Sequence, residues 1–167
     1  MSNFTIPSFK LPDLVARIGG RLPQWPHALA LVSGLNAAVK MGLLPQDSLD
    51  TLEGKTFLVA VNDTGGEACF TYRGGWFRPL FKLDGAPDLS FRANLAAYLQ
   101  LLARQEDPDT LFFNRQLSIE GDTELGLVVK NMLDAVEWPP RFTERLAGRF
   151  PALERLGTAL PRFGRPT

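Results

Sequence analysis

The chain has 167 residues, of which 45% are hydrophobic and 22% are charged, and its formal net charge is zero. A chain of this length and composition suits one globular domain, and it contains no run of about eighteen apolar residues that would predict a membrane-spanning helix. Its single cysteine, Cys69, excludes an intramolecular disulfide and fits a reducing cytoplasm.

The first segment of the chain is rich in proline and predicts little regular structure. Residues 1–26 hold four prolines and at most one short helix, Asp13–Ile18, and their start lacks the basic and apolar parts of a secretory signal. The first well-defined helix is predicted over His27–Met41, where apolar residues occupy more than one face, so we expect it to be well buried. Gly42 is predicted to cap this helix, and Leu44–Glu53 to form a connector.

Four short segments rich in β-branched and aromatic residues predict strands. They are Phe57–Val61, Ala68–Tyr72, Trp76–Leu83 and Leu89–Arg92. Between the second and third strands, Gly74-Gly75 is typical of a two-residue hairpin turn. Pro79 predicts that the third strand lies at an edge or a bulge, because proline cannot donate a ladder hydrogen bond.

The second half of the chain switches between helical and strand periodicity. A helix over Asn94–Arg104, with its first residue as N-cap, precedes a strand over Gln116–Glu120. Gly121 permits a tight exit from that strand, and Asp122 is predicted to cap the next helix, Thr123–Val136. The order of elements predicts an α+β fold, with about five strands in one mostly antiparallel sheet and helices packed on one face.

Few residues suggest catalysis or metal binding. His27 is the only histidine and has no cysteine cluster with which to share a metal, so a structural role is favoured. Cys69 lies inside a predicted strand and is interpreted as a small buried hydrophobe. Glu120, Asp122 and Glu124 are explained by helix capping and surface charge. We therefore expect no catalytic residue, no metal, no cofactor and no enzyme activity; an enzyme would need a pocket holding a histidine or carboxylate with a partner.

The segment from Pro87 to Trp138 carries motifs in a distinctive order. A strand and a helix are followed by a loop that contains Asp107-Pro108, the aromatic pair Phe112-Phe113, a strand that ends in Gly121-Asp122, and a last helix. This order resembles the second half of a sterol carrier protein type 2 domain, although many members have glycine where this chain has Arg115. The resemblance implies a lipid-binding fold in which the space between sheet and helices is an apolar tunnel.

The candidate tunnel wall consists of the apolar residues expected to meet between the sheet and the helices. They are Phe70, Tyr72, Phe77, Phe81, Leu95, Tyr98, Leu99, Leu102, Leu117, Ile119, Leu125, Val128, Val129 and Met132. Large, adaptable apolar side chains such as methionine and phenylalanine suit such a wall. Without the resemblance, the same residues predict a filled hydrophobic core, and this alternative stays open. The chain would then be an interaction module whose basic ends bind a protein partner.

Within this family, the run from Ile119 to Gly126, followed by Lys130-Asn131, is most similar to bacterial accessory factors of ubiquinone biosynthesis. That similarity implies that the tunnel holds the polyprenyl tail of ubiquinone or its precursors, in the oxygen-independent branch of the pathway. The hydroxylation proteins UbiU and UbiV would then be partners. A phospholipid such as phosphatidic acid is the alternative ligand. Nucleic acid is not expected, because the acidic middle of the chain opposes it.

The two ends of the chain are basic and the middle is acidic. Residues 1–26 hold three basic residues and one acidic residue, whereas residues 139–167 hold six and two. We expect a lipid-binding domain over residues 27–138, with both extensions either docked on it or bound to an anionic membrane surface. The chain would then be cytoplasmic and peripheral to the inner membrane. The candidate membrane contacts are Arg17, Arg21, Phe142, Arg145, Leu146, Arg149 and Phe150.

Overall fold

A computed structural model describes residues 25–137 and Pro139. The elements follow in chain order as α1 (Trp25–Lys40), α2 (Gln46–Thr51), β1 (Thr56–Val61), β2 (Gly66–Arg73), β3 (Trp76–Leu80), β4 (Leu89–Ala93), α3 (Leu95–Leu102), α4 (Pro108–Phe113), β5 (Leu117–Gly121) and α5 (Thr123–Ala135). The predicted α+β fold is confirmed. The predicted membrane contacts of both extensions lie outside the described residues.

The five strands of the described region form one mixed sheet in the order β3-β2-β1-β4-β5. Pairing is antiparallel except between β1 and β4, where Phe57 lies opposite Leu89 in a parallel register. The chain makes two hairpins through β1, β2 and β3 and then returns to the free side of β1, so β4 runs in the same direction as β1. Pro79 lies in β3 at the sheet edge, as predicted.

The glycines of the β2–β3 turn have the backbone conformation that the hairpin requires. Gly74 and Gly75 have φ angles of +60° and +82°, and a two-residue type I′ turn needs positive φ at both positions. The resulting edge strand is covered by α1, because the side-chain amide of Asn36 donates to the carbonyl of Phe77 at 2.9 Å and accepts from its N–H at 2.8 Å. This pair of bonds satisfies part of the free edge and fixes α1 over the sheet.

Two short helices form where the sequence predicted a connector and a loop. Helix α2 lies inside Leu44–Glu53, and the burial of Leu49 and Leu52 explains why this segment is held in place. Helix α4 begins directly after Asp107, whose carboxylate accepts from the N–H of Thr110 at 2.8 Å, with Pro108 at a position that needs no donor. Each helix is only six residues long, too short for a periodic pattern to show in the sequence.

One predicted cap is wrong and another is confirmed. The side chain of Asn94 makes no capping bond to α3; instead the N–H of Leu95 donates to Oδ1 of Asp63, which lies in the β1–β2 turn, at 2.9 Å. A residue 32 positions away in the chain therefore takes the capping role. Asp122 does cap α5, since its carboxylate accepts from the N–H of Leu125 at 3.1 Å.

Asp88 joins the starts of the parallel strands β1 and β4. Its Oδ2 accepts from both the backbone N–H and the hydroxyl of Thr56 at 2.7 Å, and its own N–H donates to that hydroxyl at 3.1 Å. The carbonyl of Asp88 also accepts from the N–H of Asp122 at 2.8 Å, which brings in the start of α5. The hydrogen bonds from Thr56 hold the pKa of Asp88 below its usual range.

We expect Asp88→Ala to lower the free energy of unfolding by about 1.5–3 kcal/mol at neutral pH, the usual worth of hydrogen bonds to a charged group. Because the pKa of Asp88 is lower in the folded state, its contribution is present above the unfolded pKa of about 3.9 and is lost as the pH falls through the folded value. Chemical unfolding at several pH values would measure this. The difference from wild type should shrink in acid, and Asp84→Ala, at an exposed site, should show none; a pH-independent difference contradicts the assignment.

Candidate functional site

An apolar cavity of about 390 Å³ lies between the sheet and the helices. Its floor is formed by alternate residues of the strands, all pointing to the helical face: Phe57, Val59, Val61, Gly66, Ala68, Phe70, Phe77, Phe91, Leu117 and Ile119. The period of two along each strand explains this arrangement, since every second side chain reaches the same face. Protein interiors are normally close-packed with few voids larger than a water molecule. A cavity of this volume falls in the range of roughly 300–1,000 Å³ typical of ligand sites.

The roof of the cavity comes from four helices and the residue after α2. Helix α1 contributes His27, Ala30, Leu31 and Leu35, and Leu52 follows α2. The other members are Leu95, Tyr98, Leu101 and Leu102 of α3, Pro108 of α4, and Val129, Lys130, Met132 and Leu133 of α5. Three helices therefore contribute side chains that recur every three or four residues, as one face of a helix does. Any apolar ligand in this space would contact both layers of the fold.

The structure brings nine of the fourteen predicted wall residues to the cavity. They are Phe70, Phe77, Leu95, Tyr98, Leu102, Leu117, Ile119, Val129 and Met132. Whether these side chains touch a lipid stays a prediction, but their common position around one space is a property of the fold.

The other five predicted wall residues lie away from the cavity lining. Tyr72 is buried against Phe77, with ring centroids 4.8 Å apart, and Leu125 is buried in the first turn of α5. Leu99 and Val128 are half-buried on other faces of their helices. Phe81 is 68% exposed, because β3 ends at Leu80 and the predicted alternation does not continue to Leu83.

The start of α5 packs directly on the sheet, which explains why Leu125 misses the cavity. A side-chain carbon at Gly126 would lie 3.6 Å from Leu89 and 3.7 Å from Ile119, so the helix is close to the strands at this point. The space opens one turn later, at Val129 and Met132. Which turns of α5 reach the cavity therefore depends on the distance between the helix and the sheet. The periodicity of the sequence does not predict that distance.

Strand β1 supplies three floor residues that are not among the fourteen predicted wall residues. Phe57, Val59 and Val61 line the cavity, whereas Leu58 and Ala60 belong to the other face of the strand. All five are apolar, so the strand has no polar alternation to reveal its inner face. The period of two groups Phe57, Val59 and Val61 on one face of the strand, but it does not predict which face points to the helices.

Three polar side chains at the cavity, those of Tyr98, Lys130 and Glu67, are held by specific partners. The hydroxyl of Tyr98 donates to the carbonyl of Ala60 at 3.0 Å, and burial raises the pKa of Tyr98 far above its usual range, so this group stays protonated. Lys130 Nζ lies 2.5 Å from Asp109 Oδ2, and this hydrogen bond raises the pKa of Lys130 and keeps it cationic. The carboxylate of Glu67 pairs with Arg92 at 3.6 Å.

His27 lines the cavity beside the β1–β2 turn. A side-chain carbon at Gly66 would lie 3.2 Å from Cδ2 of His27, so the absence of a side chain at Gly66 lets the imidazole pack against the strand. Its buried Nδ1 has no hydrogen-bond partner within the described part of the chain. His27 is therefore a packed residue of the cavity lining, and its structural role stays a prediction.

The lining of the cavity is mainly apolar. Residues 25–137 contain no cluster of three or more histidine, cysteine or acidic side chains placed to hold a metal. Burial, and then the charge of Glu67, raise the pKa of Cys69, which disfavours the reactive thiolate. No helix in this region has the length and apolar character needed to cross a bilayer. The arrangement is suited to enclosing an apolar molecule.

Comparison with known proteins agrees with the fold. The ubiquinone biosynthesis accessory factor UbiT of Escherichia coli strain K12 is 42% identical over 94 residues, which is 56% of this chain and 53% of UbiT, so the match spans about half the length of that relative. A solved structure described as the UbiJ-SCP2 ubiquinone synthesis protein has a TM-score of 0.51 and 18% identity, and the alignment covers 66% of this chain and 94% of that one. At this identity, the likeness concerns the fold alone.

The family profile described as the SCP-2 sterol transfer family matches residues 36–134, more than half of the chain. The matched region runs from the middle of α1 to the end of α5 and therefore contains the whole sheet and most of the cavity lining. The chain belongs to the SCP-2 sterol transfer family.

Proposed function

We propose that this protein is a non-catalytic, lipid-binding accessory factor of ubiquinone biosynthesis. The observation that carries the proposal is the 390 Å³ apolar cavity, found in a member of the SCP-2 sterol transfer family that shares 42% identity with UbiT over 94 residues. The polyprenyl tail of ubiquinone or of a precursor is the proposed ligand. A filled-core interaction module is disfavoured, because such a module would have no space of this size.

The physical reason for a carrier is the cost of exposing a long hydrocarbon chain to water. Each methylene transferred from an apolar environment to water costs about 0.8 kcal/mol, so a polyprenyl chain leaves a membrane only if an apolar surface replaces the bilayer. The cavity provides that surface, with the sheet on one side of the polyprenyl chain and the helices on the other. The quinone-precursor head group would stay accessible to the hydroxylation proteins UbiU and UbiV in the oxygen-independent branch, which are the proposed partners.

Extraction of the purified full-length protein with organic solvent, followed by mass spectrometry, tests the proposal. We expect a polyprenylated phenol or quinone at a constant ratio to protein, retained through purification because its tail is buried. A culture grown without oxygen is the appropriate source for the oxygen-independent branch. Preparations that never contain lipid would count against any carrier function. Preparations that contain only phospholipid would mean that the ligand is a phospholipid and not a quinone.

A phospholipid is the second candidate ligand, and Lys130 is the observation in its favour. It is the lysine among the described lining residues, and Asp109 occupies only one of the three donors of its ammonium group. A phosphate at this end of the cavity would accept a charge-assisted hydrogen bond without displacing Asp109. A neutral quinone head group would gain less from this position.

We expect Lys130→Met to weaken binding of phosphatidic acid roughly tenfold or more, since a hydrogen bond between charged groups contributes about 1.5–3 kcal/mol. Diacylglycerol with the same acyl chains lacks the phosphate, so it should bind the wild type and Lys130→Met with equal affinity. Lys55→Met, which removes a lysine that pairs with Asp122 at 3.7 Å outside the lining, is the matched control. Competition against a fluorescent fatty acid would measure each affinity. Equal affinities of the wild type for the two lipids would remove Lys130 as a head-group contact.

Membrane attachment by the basic extensions is part of the same proposal. Arg17, Arg21, Arg145 and Arg149 are the proposed contacts with anionic lipid head groups, with Phe142, Leu146 and Phe150 beside them as apolar contacts. Such attachment depends on charge and should weaken as salt is added, because ions screen exposed charges over about 8–10 Å at ordinary ionic strength. The proposed location is the cytoplasmic surface of the inner membrane.

A further inference from the structure

Two neighbouring phenylalanines on α4 are exposed to solvent, and their rings touch each other. Phe112 is 48% exposed and Phe113 is 79% exposed, and their rings meet edge to face with centroids 6.0 Å apart. The other ring pairs among the described residues, such as Phe57 with Phe70, lie in the core. Exposed aromatic patches on a soluble surface commonly mark a site of interaction.

The same short helix forms part of the cavity wall. Pro108 lines the cavity and Leu111 is fully buried, so α4 is anchored in the core although it carries the exposed aromatic pair. Phe112 follows Pro108 by four residues and is its neighbour on the helix surface. A further connection to the cavity is the hydrogen bond that Lys130 of α5 donates to Asp109. The aromatic surface and the cavity are therefore separated by a single turn of helix.

The charges around the aromatic pair nearly cancel. Residues 104–116, with Lys130 and the Asp134 that interacts with it, contain three basic side chains, Arg104, Arg115 and Lys130, and four acidic ones, Glu106, Asp107, Asp109 and Asp134. Two of the acidic groups are already engaged, Asp107 in capping α4 and Asp109 with Lys130. A surface with exposed rings and a negative excess of only one charge is suited to an uncharged apolar environment and gives no electrostatic attraction to an anionic partner.

We propose that Phe112 and Phe113 insert into the apolar part of a lipid bilayer and place the α4 wall of the cavity against the membrane. This assignment rests on the proposed carrier function, because a cavity that receives a membrane lipid must approach the bilayer. Insertion removes both rings from water, and the helix behind them is held rigidly by Pro108 and Leu111. The attachment is distinct from that of the basic extensions, since it needs no negative lipid.

The test uses the full-length protein and vesicles of phosphatidylcholine alone, which carry no net charge. We expect the wild type to bind these vesicles in flotation experiments, and the double substitution Phe112→Ser and Phe113→Ser to weaken binding roughly tenfold or more. Phe81→Ser is the matched control, because Phe81 is 68% exposed beyond β3, on the opposite edge of the sheet from α4, and its removal should leave binding unchanged. Added salt should not change the contribution of the aromatic pair.

A second measurement keeps the test independent of how the double variant folds. Phe113→Trp adds one indole at an exposed position, and lipids brominated on their acyl chains quench tryptophan fluorescence only when the ring is inserted. We expect extra quenching over the wild type for Phe113→Trp and none for Phe81→Trp. The proposal is overturned if Phe113→Trp and Phe81→Trp are quenched equally, or if Phe81→Ser loses as much binding as the double variant. It is also overturned if the wild type does not bind neutral vesicles.

The outcomes separate this surface from the carrier function. A protein that contains lipid after purification, yet loses no vesicle binding when both phenylalanines are replaced, keeps the carrier function and refutes the aromatic attachment. A protein that binds neutral vesicles through the pair but never contains lipid refutes the carrier function while keeping the membrane surface. Slower lipid uptake from vesicles by the double variant, with unchanged lipid capacity in detergent, would link the two.

Discussion

Gly121→Ala is expected to lower the free energy of unfolding by about 3 kcal/mol or more, which for a chain of this length lowers the melting temperature by roughly 6–12 °C. Gly121 joins β5 to α5 with a φ angle of +121°, a conformation that side-chain-bearing residues rarely adopt. A side-chain carbon at this position would overlap the carbonyl oxygen of Asp88 and lie 3.1 Å from Cα of Leu89. Both neighbours are backbone atoms of the sheet, so neither can move without disturbing β4.

Gly85→Ala separates the two causes of this effect. Gly85 has a φ angle of +105° but no atom within 4 Å of the position where a side-chain carbon would be. It should therefore show the cost of the backbone conformation without the overlap, and a clearly smaller loss. Thermal unfolding followed by circular dichroism compares the two variants. Equal losses would mean that the approach of Gly121 to Asp88 is relaxed at little cost, and that the joint tolerates a side chain.

The β5–α5 joint is also the part of the fold that the sequence predicted best. The change from strand to helical periodicity, the glycine and the capping aspartate are all local signals, and Asp122 does cap α5. What the sequence lacked was the reason that Gly121 must be glycine. The residue that requires it, Asp88, is more than thirty positions earlier in the chain. It meets the joint through the pairing of β4 with β5 and through the hydrogen bond that the N–H of Asp122 donates to its carbonyl.

Parts of the fold that depend on contacts between distant residues were predicted less well. The N-cap of α3 comes from Asp63 in another loop, and α2 is a helix because Leu49 and Leu52 are buried, not because its sequence has a helical period. For the cavity, periodicity identified which residues share a face but not the distance between facing layers. Val129 and Met132 therefore line the cavity, whereas Leu125 on the same helix packs directly into the core.

Adding bulk to the cavity floor should separate lipid binding from folding, and Ala68→Phe is the variant we expect to do so. Ala68 is buried in β2 and lines the cavity, opposite Val59 of β1, which lines it too. A phenyl ring there would take the place of part of the lipid chain. If two methylenes lose their site at about 0.8 kcal/mol each, lipid affinity falls more than tenfold.

The stability of the lipid-free variant decides between a cavity and a filled core. A ring forced into a packed core typically costs about 1–3 kcal/mol, whereas a ring that enters an existing apolar space costs little and can stabilise the fold. Val128→Phe is the matched control, since it adds a ring to α5 at a half-buried residue outside the lining and should leave lipid content unchanged. Lipid content after purification and the melting temperature after delipidation provide the two readings. We expect Ala68→Phe to lose lipid and keep its melting temperature; a variant that keeps its lipid and melts earlier would show that the space is packed core, and the proposed carrier function would then be wrong.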